Sequence, residues 1–222
     1  MMYSMNATTN PARLFTARAR TYCRFIRLVR YPQGLRACFR ISPLLRPGIC
    51  VLDAGCGTGA VVLALQEVML TRGISPGCLH GFDLTPAMLD RLRASLGARG
   101  IESVELVQAD VLALETLPAG WSNYDLIVSA SMLEYVSGEQ FVAALSGLRE
   151  RLSKNGSLIL FMTRDNWLMR QLIGRWWQSN LYTAEKLREA FAAAGFSSIV
   201  FRTFPPLYRY LDTWGHIVEA EY

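Results

Sequence analysis

With 222 residues, 51% of them hydrophobic and 18% charged, the chain is long enough for one ordinary domain with a buried core. This composition excludes a mainly disordered or fibrous protein. No apolar run approaches the ~18 residues that span a bilayer. The net charge of +5 is held unevenly: residues 1–50 contain nine Arg and no Asp, Glu or Lys, so the remaining 14 basic residues face all 18 acidic ones. A basic arm on a mildly acidic body is either a solvated helix face or the complement of an anionic neighbour such as a lipid surface, an acidic substrate or a nucleic acid. The arm also has the composition of an organelle transit peptide, without an uninterrupted signal-peptide core. Five cysteines, an odd number with no CxxC pair, point to reduced thiols in a cytoplasmic compartment rather than to disulfides or a zinc site.

In chain order, Asn10-Pro11 has the form of a helix start. Phe15, Tyr22, Ile26 and Val29 then recur at helical spacing with Arg between them, which predicts an amphipathic helix. Tyr31-Pro32-Gln33-Gly34 is expected to break it, a shorter helix to run from Leu35 to Ile41, and Arg46-Pro47-Gly48 to turn into the body. Residues 1–46 are thus expected to form a basic helical extension, and 47–222 the main domain. From Ile49 short apolar runs alternate with amphipathic stretches, the pattern of βα units around a parallel sheet. Strands are expected at Ile49–Asp53, Cys78–Asp83, Val104–Gln108, Tyr124–Ser129 and Ser157–Thr163, and helices at Ala60–Thr71, Pro86–Arg99, Gly138–Leu152 and Ala184–Ala194. Two last strands, Ser198–Thr203 and His216–Glu221, lack a helix-length connection and are expected to pair antiparallel.

The most informative segment is Asp53-Ala54-Gly55-Cys56-Gly57-Thr58-Gly59. A buried strand ends in a carboxylate, and three alternate glycines lead into a helix. Without Cβ atoms the backbone can approach a ligand at the positive helix end. Gly55-x-Gly57-x-x-Ala60 also satisfies the relaxed dinucleotide fingerprint, which keeps an NAD(P)-dependent oxidoreductase in view. Further along, Asp83 closes the second strand, placed to accept both hydroxyls of a ribose, and Asp110 closes the third. All these positions fall at strand carboxyl ends, on one rim of the sheet.

These motifs resemble the class I S-adenosylmethionine-dependent methyltransferase family. The resemblance rests on Asp53 to Gly59, Asp83-Leu-Thr-Pro-Ala-Met88, Asp110, Tyr124 to Val136, Lys154-Asn155-Gly156 and Tyr182 to Phe196, and covers about residues 47–221. It implies an α/β fold, a doubly wound, mostly parallel seven-stranded Rossmann-like sheet with its last strand antiparallel. It also implies S-adenosyl-L-methionine as cofactor and S-adenosyl-L-homocysteine as product. Asp83 is then expected on the ribose, Leu84 and Met88 on the adenine, and Asp110 with Val111 at its amino edge. Gly55, Cys56, Gly57 and Gly59 form the turn at the methionine part, with Asp53 nearby and Ser129 or Ala130 on the other side; Tyr22 is expected to touch the carboxyl end or to be a core aromatic.

In this family's chemistry the acceptor attacks the methyl in line, and alignment alone supplies on the order of 7 to 11 kcal/mol. No nucleophilic side chain is required. Glu134 is the candidate general base, its alternative being a helix-start carboxylate. Tyr135, Trp167 and His216 are candidates for contact with the acceptor, and the Trp- and Arg-rich stretch from Arg164 to Trp177 for a lid. His80, inside a strand, reads as a core histidine. Together these features point to a small lipophilic or aromatic acceptor and away from nucleic acid, since the fourth motif lacks the Asn/Asp-Pro-Pro-aromatic form that presents a flipped base. The basic helix is a candidate for peripheral contact with an anionic membrane. A non-catalytic interaction protein on the same fold is the remaining alternative.

Overall fold

The computed structural model of the protein describes residues 24–170 and 179–222. Among them seven strands form one sheet: β1 (Cys50–Ala54), β2 (Cys78–Asp83), β3 (Glu105–Gln108), β4 (Tyr124–Ala130), β5 (Leu152–Thr163), β6 (Ser198–Arg202) and β7 (Gly215–Glu221), in the order β3-β2-β1-β4-β5-β7-β6. The pairs from β3 to β5 are parallel, and β7 lies antiparallel between β5 and β6. The chain leaves β3 on one side and resumes at β4 next to β1, so β1 and β4 flank the point where strand order reverses. Ligand crevices of doubly wound sheets open there.

Both faces of the sheet are covered by α1 (Tyr31–Ile41), α2 (Ala60–Thr71), α3 (Pro86–Gly97), α4 (Gly138–Glu150) and α5 (Ala184–Ala193). This explains why the strands read as apolar runs rather than as alternation. Val51, Val128 and Phe161 point into one cluster with Leu65, Leu92 and Phe39, while Leu52, Ile127 and Leu160 point into the other with Leu145 and Phe191. Each such fully buried side chain stabilises the fold by about 1.5 to 3 kcal/mol relative to exposure. Successive residues therefore face opposite sides, as the two-residue period of a strand requires.

The structure departs from the sequence expectations at several places. Tyr31-Pro32 opens α1 instead of breaking a helix, because a proline in the first turn lacks only an amide that has no partner there. The break falls one residue earlier, at Arg30, whose φ of 55° is left-handed. Gly34 lies inside α1 because a Cβ there would sit 2.4 Å from Leu211 Cδ1, on the 3-10 strap Pro206–Thr213 that joins β6 to β7. Leu35, Phe39 and Leu45 of the expected extension are buried in the same cluster as β1 and α2. Strand β5 begins at Leu152, five residues before the expected Ser157. Lys154-Asn155-Gly156 is an irregularity within it, where pairing shifts from Tyr124↔Leu152 to Leu126↔Ser157. The expected amphipathic helix before Arg24 and Tyr22 itself lie outside the described residues, although 24–28 are helical.

Candidate active site

The glycine turn is built by three left-handed residues, Gly55, Gly57 and Gly59, with φ of 77°, 51° and 92°. The amides of Gly55 and Cys56 both donate to the Phe82 carbonyl at 2.9 Å, fastening the turn to β2. A Cβ on Gly55 would lie 2.4 Å from the Met132 side chain, and one on Gly59 2.3 Å from Leu92 of α3. Gly57 differs, since its nearest neighbours would be 3.9 Å away at Asp83 and the Gly55 carbonyl. Its missing side chain leaves open space.

That space belongs to a hollow of about 280 Å³ at the carboxyl ends of β1, β2 and β4. Gly55, Gly57, Asp83, Leu84, Met88, Asp110 and Val111 line it, so seven of the predicted cofactor residues meet in one place. Asp83 Oδ2 accepts from the Gly57 amide at 2.9 Å and Oδ1 from the Thr85 amide at 2.8 Å. Burial raises its pKa from the ordinary value, partly offset by these hydrogen bonds. Asp110 Oδ1 accepts from the Leu112 amide at 3.0 Å, which turns the chain at the far end of the hollow.

Four predicted positions stand behind this lining. Cys56 is buried and packs against Gly81, where a Cβ would meet its Sγ at 3.2 Å; burial, then Asp53 and Asp83, push its thiol pKa well up. Gly59 starts α2. Of the expected Ser129 or Ala130, Ser129 is wholly buried in β4, whereas Ala130 lines the hollow together with Ser131. The side chain of a strand residue alternates between faces, and the residues after the strand end curl over the rim. Asp53 is 1% exposed, and neither carboxylate oxygen has a hydrogen-bond partner of ordinary geometry. Burial, then the charge of Asp83, lifts its pKa well above the usual range.

A second hollow, of about 80 Å³, adjoins the first and shares Ser131 and Tyr135 with it. Phe25, Tyr31, Phe161, Phe204 and Trp214 give it an aromatic lining, and Glu134 and His216 also border it. Glu134 lies in the first turn of the 3-10 helix Leu133–Tyr135, 2% exposed, and its Oε2 accepts from the Thr163 amide at 2.9 Å. Burial raises its pKa. His216 is 5% exposed with no hydrogen bond of ordinary geometry at either ring nitrogen; burial, then Arg164, lowers its pKa. Trp167 was expected to roof this space, but it is 75% exposed and borders neither hollow. Arg175, Trp176 and Trp177 of the expected lid lie outside the described residues. His80 bonds the Tyr124 hydroxyl at 2.8 Å and stacks on Trp121, a structural role.

Sequence reasoning missed Ser131, Met132, Ser137 and Gln140 on the first hollow and Phe161, Phe204, Leu211 and Trp214 on the second. For Ser137 a signal existed: Ser137-Gly-Glu-Gln140 has the spacing of a capping box, and the Ser137 hydroxyl donates to Gln140 Oε1 at 2.9 Å at the start of α4. The second set had none, because its members come from β5, the strap and the residues flanking it and read as core.

The strand order, the glycine turn and the rim carboxylates define a Rossmann-like nucleoside-binding domain. Residues 51–156 match the family model of a methyltransferase domain. The carboxy-S-adenosyl-L-methionine synthase of Pseudomonas paraeruginosa (strain DSM 24068 / PA7) is 33% identical over 121 residues, 52% of this chain and 44% of that one. Aklanonic acid methyltransferase DauC of Streptomyces sp. (strain C5) is 28% identical over 127 residues, 57% and 53% of the two chains. The structure of an O-methyltransferase family protein from Burkholderia thailandensis matches with a TM-score of 0.67 at 13% identity, covering 87% of this chain and 57% of that one, a likeness of fold. Over these residues the chain is similar to S-adenosylmethionine-dependent methyltransferases of class I, and it spans about half the length of the curated relatives it matches.

The residues fit that family's cofactor. The side-chain-free opening at Gly57 admits a ligand against the turn, the Asp83 carboxylate borders it, and the buried Asp53 carboxylate at the end of β1, two residues before Gly55, is the complement of an ammonium group.

Proposed function

We propose that the protein transfers the methyl group of S-adenosyl-L-methionine to a small lipophilic or aromatic acceptor. The observation that carries this reading is the pair of adjoining hollows, one lined by rim carboxylates and glycines, the other by aromatic rings, with Ser131 and Tyr135 common to both. When bound, the cofactor supplies a methyl group on a sulfonium leaving group. Asp83 holds the ribose hydroxyls, Asp110 and Val111 border the adenine edge with Leu84 and Met88 on its faces, and Asp53 offsets the ammonium charge. Ser131 and Tyr135 flank the line between the hollows and would align an acceptor atom with the cofactor's methyl group. The aromatic lining excludes water and orients the acceptor, the effect that brings most of the rate. Glu134 takes the proton that the acceptor releases, its carboxyl tuned upward by burial toward the range a base needs. His216 and Tyr135 contact the acceptor.

In this reading residues 1–46 form a basic cap on the domain 47–222, the protein is cytoplasmic, and the basic segment contacts an anionic membrane. No described helix is long and apolar enough to cross a membrane. The family match favours methyl transfer over the NAD(P)-dependent alternative that Ala60 admits. The test is turnover: the protein with methyl-labelled S-adenosylmethionine and a panel of phenols, quinones, amines and carboxylic acids. Labelled product from an aromatic or lipophilic acceptor, lost in Glu134→Gln, is expected. Tight S-adenosylhomocysteine binding with no product across the panel supports a non-catalytic protein instead.

A further inference from the structure

The segments that roof the aromatic hollow turn a second face outward. Phe25 and Val29 line the hollow from the helical residues 24–28 and the kink that follows, and Leu211 and Trp214 close it from the strap and its end. On the outside of the same segments Leu28 is 82% exposed and Leu207 72%. The Tyr210 hydroxyl donates to the Val29 carbonyl at 2.9 Å, so the two segments form one continuous roof. Arg24, Arg27, Arg30 and Arg209 are exposed along them, and no acidic residue occurs between 24 and 49. Arg36 and Arg46 are tied to Glu67 and Asp125. Arg24, Arg27 and Arg30 form no ion pair among the described residues.

A solvated face accounts for the arginines but not for two leucines left almost bare beside them. An RNA partner accounts for the charge and likewise has no use for the leucines. Exposed cations on the same two segments as protruding aliphatic side chains are the complement of one surface, the headgroup region of an anionic bilayer, where charge attracts and leucine inserts. We propose that the roof formed by residues 24–30 and the strap Pro206–Thr213 rests on an anionic membrane, and that the acceptor is a membrane-borne lipophile drawn into the hollow directly beneath. This deepens the methyltransferase reading and rests on it for the chemistry, while the docking itself stands on the exposed residues alone. The strap places a second chain segment on the membrane face beside the basic arm, and puts the contact over the acceptor hollow rather than over the cofactor.

Cosedimentation of the full chain with vesicles of phosphatidylcholine, alone or mixed with phosphatidylglycerol, tests the proposal. Wild-type protein is expected to sediment with the mixed vesicles only, and salt to release it. Arg27→Gln and Arg30→Gln are each expected to lower the partition about fivefold, and Leu28→Ser with Leu207→Ser to lower it further at unchanged charge. None of these side chains borders the cofactor hollow, so calorimetric S-adenosylhomocysteine affinity should stay at the wild-type value in every variant. Equal sedimentation with neutral vesicles, partition indifferent to the leucines, or binding of single-stranded RNA that mixed vesicles fail to displace would overturn the proposal. Vesicle preference that survives while wild-type protein ignores S-adenosylhomocysteine counts against the methyltransferase reading alone.

Discussion

The Asp83 carboxylate accepts a hydrogen bond from the Gly57 amide at 2.9 Å across the mouth of the glycine turn. One side chain thereby links the end of β2 to the loop after β1 and still presents lone pairs to the hollow. Asp83→Ala should lower S-adenosylhomocysteine affinity about 100-fold or more, since two charge-assisted hydrogen bonds to a ribose are worth roughly 1.5 to 3 kcal/mol each. The unliganded fold should change by no more than about 2 kcal/mol, because the same substitution relieves a desolvated carboxylate. Calorimetric titration and thermal unfolding read the two effects separately.

The neighbouring glycines should fail in different ways. Gly59→Ala forces a Cβ into Leu92 at a φ of 92° and should cost about 2 to 4 kcal/mol of stability, from the left-handed backbone and the overpacking together. Gly57→Ala meets nothing closer than 3.9 Å, so its stability cost should be only the ~1 to 2 kcal/mol of the backbone. Its methyl group enters the hollow, and cofactor affinity should fall while Gly59→Ala spares it. Urea unfolding set beside calorimetry distinguishes the pair.

Asp53 predicts a proton linkage. Its folded pKa is raised by burial and by Asp83, so the folded protein holds a proton that the unfolded chain gives up at lower pH. Stability is therefore greatest below the unfolded pKa and declines as pH rises through the raised value. A cationic ammonium beside the carboxyl favours its ionised form, so cofactor binding should release protons in that window. Titrations in two buffers of different ionisation enthalpy should show this release in wild-type protein and lose it in Asp53→Asn. Proton uptake on binding would contradict the assignment.

Much of this site can be read in the sequence because its parts are local and carry unusual chemistry. Gly55 to Gly59, Asp83 and Asp110 each sit at the end of an apolar run, and the run itself says where the rim is. The aromatic hollow is different. Phe161 and Leu211 are distant in sequence and apolar like any core residue, and only the insertion of β7 between β5 and β6 brings the strap over them. Glu134 is of the same kind, since the Thr163 amide that draws its carboxylate inward comes from β5 and leaves no local signal in sequence. Trp167 shows the converse, since an aromatic in a basic stretch predicts a lid while its side chain stands exposed.

Glu134→Gln keeps an oxygen for the Thr163 amide, so the fold and S-adenosylhomocysteine affinity should be preserved. With an accepted substrate, kcat should fall about 100-fold or more if the carboxylate takes the proton. Wild-type kcat should rise with pH through the raised Glu134 pKa and the variant should lose that limb. Trp167→Ala should leave KM and kcat unchanged, and Trp214→Ala should raise KM. Steady-state kinetics over a pH series checks all three variants.

The most direct measurement is a crystal structure of the protein with S-adenosylhomocysteine. The account predicts the ribose on Asp83, the adenine between Met88 and Asp110, and the sulfur facing the Ser131–Tyr135 junction with the aromatic hollow. An empty hollow, or a nicotinamide nucleotide bound there in preference, would contradict it.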